Sequence, residues 1–276
     1  MVARFVSDSS CDIYVREGVN YTTVPLIVSV TDKDFKDEPG TDKNAFLDAL
    51  DAAHEASKSA CPSLQAWINA FDNADVVYVV TLTSALSGTN NSARLAKEMY
   101  LEDHPNAKIH IFDSLATGPK MALIMDRLIE WDKQGLSFEE VVEKGEAYIK
   151  STHLLFSLGS LHTMAMNGRV PKVVAGATSV LGIRVSAIAS PKGEVEVCGK
   201  TRGTKKLVRF MVEKMIEMGY QGGNVRISYT DDDSIVNKIK ESLLEKYPNA
   251  NISTNETTIL CSYYVERNGF VIGFEI

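Results

Sequence analysis

VVYVVTLTSALSGTNNSARLAKEMY, residues 76–100, decides how this chain is built. The apolar, β-branched run Val76–Val80 is a candidate buried strand. Asn91–Tyr100 reads as a helix with Ala93, Ala96, Met99 and Tyr100 on one side. Ser84, Ser87, Gly88 and Thr89 therefore stand where a strand hands over to a helix. Open α/β sheets bind ligands at that point, beyond the carboxyl ends of their strands. Unpaired N–H groups at a helix start, joined by hydroxyls, suit a carboxylate or phosphate. The competing reading is a Ser/Thr/Asn cap in a solvated loop.

The same alternation extends on both sides. Ala3–Val6 is a strand that breaks at Ser7-Asp8-Ser9-Ser10, and Tyr21–Val30 is a second, with Pro25 marking an edge or bulge. TDKDFKDEPG, residues 31–40, reads as a charged loop, and Ser59–Ser63 reads as a polar one. Thr41 or Asp42 caps a helix running to Ala53, and Ser63 caps LQAWINAF, whose Leu64, Trp67, Ile68 and Phe71 recur at helical spacing. Ala107–Ser114 is a strand, and Pro119–Lys133 is a helix stopped at Gly135. Ser137 and Glu140 form a capping box before a helix that ends near Lys150. Strand and helix in alternation imply parallel βαβ units.

The second half predicts a strand over His153–Ser160, a short helix closed by Gly168, and a helix over residues 171–181. A hairpin turns at Pro191-Lys192-Gly193. A basic amphipathic helix over Gly203–Met218, the strand NVRISYT, a helix over Ser234–Tyr247, the strand NISTNE and a last strand GFVIGFEI follow. Asp231–Asp233 and Ser234 read as that helix's cap. The fold class is α/β. Residues 1–151 form a mostly parallel sheet with flanking helices, and residues 152–276 form a second α/β domain with an antiparallel hairpin.

Composition narrows the function. The 276 residues are 45% hydrophobic and 24% charged, as in ordinary globular chains, and no apolar run approaches a membrane span. The start, MVARFVSDSSCD, has no leader character, and the net charge of −7 with scattered basic residues argues against nucleic acid. Cys11, Cys61, Cys198 and Cys261 lie far apart without a CxxC, so neither zinc nor a redox pair is expected, and a reducing cytoplasm is. His54, His104, His110, His153 and His162 fall at helix ends or strand positions, which gives no serine a base; SALSG is not a nucleophile elbow. No catalytic residue, metal or cofactor is expected.

Three hydroxyl-rich loops converge on one sheet edge: Ser7–Ser10, Ser59–Ser63 and Ser84–Thr89. FVSDSSCDI, TTVPLIVSV, KSACPS, LTSALSGTNNSA, IFDS with Gly118, LHTMAMNGRV and the stretch from Val180 to Val208 together resemble the DegV family of bacterial fatty-acid-binding proteins over nearly the whole chain. The resemblance implies two α/β domains enclosing one long-chain fatty acid, its carboxylate held between them. It implies that Ser59, Ser87, Gly88 and Arg169 bind the carboxylate. Asp8, Ser9, Asp113 and Ser262 are placed in the vicinity of the head group, and Arg202 on a partner surface. Some members carry the acyl chain for an ATP-binding fatty acid kinase subunit, which the resemblance makes the candidate partner. The family's C-terminal G-x-H-x-G-P-G pattern reads ILCSYYVERNG here, with Cys261, Ser262 or Tyr263 in the histidine's space; Ala60 and Cys61 replace Ser-Gln, and Asn167 replaces a glycine. Leu155, Phe156, Leu158, Val173, Val174, Leu181, Ile183 and Ile188 could line an acyl cavity or serve as ordinary core. Two rival readings stay open: a hydrolase or transferase using the serine loop, and a regulatory interaction module with an empty pocket.

Overall fold

The structure is a computed structural model that describes residues 3–53, 57–171 and 182–276. The helix expected over 171–181, with Val173, Val174 and Leu181, and also His54, lie outside the described residues apart from Pro171.

The first sheet is built from β1 (Arg4–Asp8), β2 (Tyr21–Val24), β6 (Val76–Thr81) and β7 (Lys108–Asp113). It is parallel throughout, in the order β2-β1-β6-β7. Val77 and Val79 face one side, with Trp67, Phe71, Ala93, Ala96 and Tyr100. Tyr78 and Val80 face the other, with Met121, Ile124, Met125, Leu128 and Val141. Both faces are covered, which is why β6 reads as an unbroken apolar run. The covering helices are α2 (Leu64–Phe71) and α3 (Thr89–Asp103) on one side, α4 (Pro119–Lys133) and α5 (Phe138–Lys150) on the other. The Ser137–Glu140 capping box is present.

Tyr21–Val30 is not one strand. It breaks at Pro25, and β3 (Ile27–Val30) leaves the first sheet for a small antiparallel one with β4 (Lys33–Lys36) and β5 (Lys58–Ala60). Both new strands fall in stretches expected to be loops. Their exposed Lys and Asp side chains carry no alternating apolar signal, and the pairing is made by backbone with one side-chain link, Ser29 Oγ donating to Asp34 at 2.6 Å. Between β4 and β5 lies α1 (Lys43–Ala52), capped by Asp42, which accepts from Ala45 N at 3.0 Å.

The second sheet comprises β8 (Thr152–Leu158), β9 (Ile183–Ala189), β10 (Val195–Arg202), β11 (Val225–Tyr229), β12 (Ile252–Glu256) and β13 (Phe270–Glu275). Its order is β10-β9-β8-β13-β11-β12. Among the described residues of this sheet, only β11 and β12 pair in parallel, around α8 (Ser234–Lys246). Asp232 accepts from Ser234 N at 2.9 Å at the start of that helix. α7 (Thr204–Glu217) and α8 cover one face, against Leu155, Ile227, Ile272 and Phe274. The opposite face carries Leu154, Phe156, Leu158, Val185, Ala187 and Val271, and turns toward the first sheet. α6 (His162–Met166) packs there.

Two close approaches join the halves. Gly273 of β13 lies so near the start of α4 that a Cβ would stand 2.6 Å from Lys120 N. At the hairpin tip, a Cβ on Gly193 would stand 2.0 Å from Thr83 Oγ1. The third link is a helix the sequence reading did not contain, α9 (Ile259–Val265). Ile259, Leu260 and Tyr263 sink into the first half's core, although the chain reaches α9 only after building most of the second sheet. Asp37 holds α9 by its start, accepting from Ile259 N at 2.9 Å, Leu260 N at 3.1 Å and Tyr14 Oη at 2.6 Å. No helix among the described residues is long and apolar enough to cross a membrane.

Candidate functional site

Two of the three hydroxyl loops, Ser7–Ser10 and Ser84–Thr89, follow β1 and β6 of the first sheet, while Ser59–Ser63 starts in β5 of the small sheet; the three divide into two jobs. Ser7–Ser10 is structural. Asp8 accepts from Leu82 N at 2.7 Å and Ser10 N at 3.0 Å, which ties the end of β1 to the loop after β6. Its burial pushes the carboxyl up to about 6, against the lowering effect of the Ser10 hydroxyl. Ser9 Oγ accepts from Leu26 N at 3.0 Å. Asp113 accepts from Leu115 N at 3.1 Å and Ser84 N at 3.2 Å. Ser262 is fully buried and shares a 2.7 Å hydrogen bond with Thr257. None of these four, and not Arg202 at the end of β10, is among the residues that line the cavity below.

The other loops line an apolar cavity of about 340 Å³ between the two sheets. Ser59, Ser87, Gly88 and Arg169 all reach it, from β5, the loop before α3 and the turn after α6. Close contacts between the loops bring them together. Ser92 of α3 donates to Pro62 O at 2.8 Å, and a Cβ on Gly88 would stand 3.7 Å from Cys61 Sγ. Ser87 Oγ lies 2.8 Å from Thr89 Oγ1. Arg169 is exposed and is held through its own N–H, which donates to Met164 O at 2.7 Å. Leu86, Ser87, Gly88 and Arg169 also border an open cleft lined by Ser84, Asn90 and Arg94, so this end is the cavity's mouth.

Away from the mouth the walls are apolar: Leu26, Leu82, Ala116, Leu154, Phe156, Val265 and Val271. Of the residues proposed for an acyl lining, Phe156 is a wall. Leu155 and Ile188 face the opposite side of the sheet, and Leu158 packs in the core on the cavity's side without lining it. Ile183 is not a lining residue. The hairpin tip closes one side through Gly193, Glu194 and Val195, beside Thr83. The four described histidines stand elsewhere. His110 meets Glu146 at 2.8 Å, His104 stacks on Tyr100, His153 packs against Phe274, and exposed His162 lines a separate cleft with Glu266 and Arg267.

Sequence reasoning missed Tyr264. It lines the cavity from α9, and its phenol lies 2.9 Å from Ser59 Oγ. Cys261 lines the cavity as well, whereas Tyr263 turns away to Ser57 and Asn167. The only sequence signal was Thr258 ahead of an apolar run, too short to show a helical period.

This arrangement can hold an elongated apolar molecule with an acidic end: greasy walls, a few hydroxyls, and Arg169 at the mouth with Arg94 on the cleft outside it. Comparison with known proteins bears on it directly. A profile described as "Uncharacterised protein, DegV family" matches residues 4–275. The chain belongs to the DegV family. A DegV domain-containing protein of Streptococcus pneumoniae is 39% identical over the full length of both chains. Among solved structures, a DegV family protein from Eubacterium eligens loaded with heptadecanoic acid is 40% identical, covers 99% of each chain and superposes with a TM-score of 0.97. The fatty acid kinase (Fak) B3 protein of Streptococcus pneumoniae, loaded with linoleic acid, is 38% identical over 100% of both chains, also with a TM-score of 0.97. The DegV fold expected from the sequence is thus the fold found, α/β with a parallel sheet and a largely antiparallel one.

Proposed function

We propose that this DegV protein is a non-catalytic carrier that binds one long-chain fatty acid in the cavity between its sheets. The observation that carries the reading is that Ser59, Ser87, Gly88 and Arg169 all line one largely apolar cavity, the last three of them at its mouth. Ser59 and Ser87 hydrogen-bond the carboxylate, Gly88 lets the ligand approach the backbone, and Arg169 supplies positive charge. Each buried methylene contributes ~0.8 kcal/mol gross, so the chain provides affinity and the polar end sets direction. Asp8, Ser9 and Asp113 serve as braces that hold the mouth in shape, and Ser262 fastens α9.

Likeness to the Fak B3 protein supports a second step, in which the bound acid is presented to a separate ATP-binding kinase subunit, with Arg202 on the facing surface. Residues 1–151 and 152–276 are the two domains in this proposal, α9 being a loan from the second to the first. Four free cysteines fit a cytoplasmic location.

Native mass spectrometry of protein purified from bacterial cells tests the reading. The wild-type chain is expected to retain a fatty acid that the Ser59→Ala, Ser87→Ala double variant loses. A ligand-free wild-type protein that ignores added fatty acid overturns it. A serine-loop enzyme would instead turn over an acyl or phosphorylated substrate alone, and the position of all described histidines away from the cavity disfavours that.

A further inference from the structure

If the carrier reading holds, something in the cavity must tell an acid from any other head group, and two lining side chains are placed to do so. Ser59 sits on β5, at an edge of the small three-stranded sheet, with Val28 as its backbone partner. Tyr264 comes from α9, far away in sequence, on a helix whose start is clamped by Asp37 and Asp12. Both side chains line the cavity, and their oxygens are 2.9 Å apart. Neither oxygen has another hydrogen-bond partner among the described residues.

Proton counting then gives the pair a chemical preference. Two hydroxyls carry two protons, and one is consumed between them. The second O–H is left for a third atom, beside the apolar side chains of Leu260 and Val265 in a mostly apolar lining. A donor left over inside an apolar site favours a ligand that brings acceptors, and an ionised carboxylate is acceptor-only. An ester of the same chain offers weaker acceptors and no charge, so it gains less from the same O–H. The ring of Tyr264 is edge-packed on Tyr263 at 4.7 Å between centroids, which holds the phenol in place before ligand arrives.

We propose that Tyr264 is a head-group residue, acting with Ser59 as a two-oxygen clasp that selects the free acid over neutral acyl derivatives. The clasp is a unit: removing either oxygen frees the other and loses the orientation of the spare proton. Tyr263, whose hydroxyl bonds Ser57 and Asn167 at 2.8 Å each, belongs to packing and takes no part.

The test is a fluorescence-displacement titration of the full chain with oleic acid and with methyl oleate. Loss of one hydrogen bond to a charged group corresponds to about a tenfold loss in affinity. Tyr264→Phe keeps the ring and is expected to weaken oleic acid about tenfold while changing methyl oleate less than about twofold. Adding Ser59→Ala to Tyr264→Phe is expected to cost less than Ser59→Ala does in the wild-type chain. Tyr263→Phe is expected to leave the acid-to-ester ratio unchanged. An acid-to-ester ratio that falls less than about threefold in Tyr264→Phe overturns the assignment, as does equal weakening of both ligands. If circular dichroism shows Tyr264→Phe to be unfolded, Ser59→Ala carries the same criterion, because the clasp fails with either member. A wild-type chain that binds neither probe overturns the carrier reading and this assignment with it; binding with unaltered selectivity in the variants overturns the assignment alone.

Discussion

Gly193→Ala is the sharpest probe of how the cavity is closed. Gly193 has φ +79°, and a Cβ there would stand 2.0 Å from Thr83 Oγ1, 3.0 Å from Thr83 Cβ and 3.1 Å from Leu115 Cα. Rotating Thr83 removes only the first of these contacts, since the other two involve Cβ and backbone. The tip itself resists deformation: Ser190 N donates to Glu194 O and Gly193 N to Ser190 O, both at 2.8 Å. No hydrogen bond is found between tip residues 190–194 and the first half among the described residues, so van der Waals contact is what seats it. A left-handed alanine costs about 1 kcal/mol and the overpacking roughly 1–3 more. The cheapest relief is for the whole tip to lift off Thr83, which opens one wall of the cavity. For a chain of 276 residues, a loss of about 3 kcal/mol lowers Tm by roughly 5 °C. About 2 kcal/mol transferred to the open arrangement speeds fatty-acid release about thirtyfold. Differential scanning calorimetry and stopped-flow displacement of a fluorescent fatty acid measure the two quantities on the same preparation. Adding Thr83→Ala should restore part of each. Unchanged Tm and unchanged release in Gly193→Ala would refute the claim that the tip is seated where the geometry puts it.

Two further outcomes follow from the buried carboxylates. Asp37→Ala strips the acceptor from Ile259 N, Leu260 N and Tyr14 Oη at once, and should cost about 3 kcal/mol or more in urea unfolding, with fatty-acid affinity falling as α9 loosens; wild-type stability would count against α9 being held this way. Asp12 is buried, which raises its carboxyl from 3.8 to about 7, opposed by the hydrogen bond from Thr258 N. A carboxyl more easily protonated in the folded state than in the unfolded chain favours folding at low pH; its contribution is complete below about 4 and is lost as pH rises through about 7. Between pH 5 and 8 that loss is on the order of 2–3 kcal/mol, so the drop in Tm over this range should shrink by roughly 3–5 °C in Asp12→Asn. An identical drop in wild type and variant would remove Asp12 from the explanation.

The βα framework was legible because each element carried its own marker. β6 has a β-branched run, α2 and α5 have serine caps, and α4 has Pro119 at its start and Gly135 beyond its end. What escaped was set by tertiary contact. α9 is seven residues long and buried nearly all round, so it has no polar face to reveal a period. β4 and β5 are strands only because β3 lies between them. At the site, Ser59, Ser87, Gly88 and Arg169 line one cavity: Ser87 and Gly88 follow a parallel strand, while Ser59 comes from the small antiparallel sheet and Arg169 from the turn after α6. The logic of a shared sheet edge also drew in Asp8, Ser9 and Asp113, whose acceptors turn inward to backbone N–H groups of neighbouring loops. Sequence spacing places a polar side chain at an edge but does not say whether it points to a ligand or to the next loop. Tyr264 was invisible for the opposite reason: it reaches Ser59 across 205 residues of chain.

The carrier reading meets its most direct test in a crystal structure of the chain soaked with palmitic or oleic acid. The account predicts a continuous tube of electron density running past Phe156 and Leu154, with its carboxylate within hydrogen-bonding distance of Ser87 and of the Ser59–Tyr264 pair. An interior free of lipid, or a lipid lying with its acid end at Leu154 and its methyl end at Ser87, would contradict it.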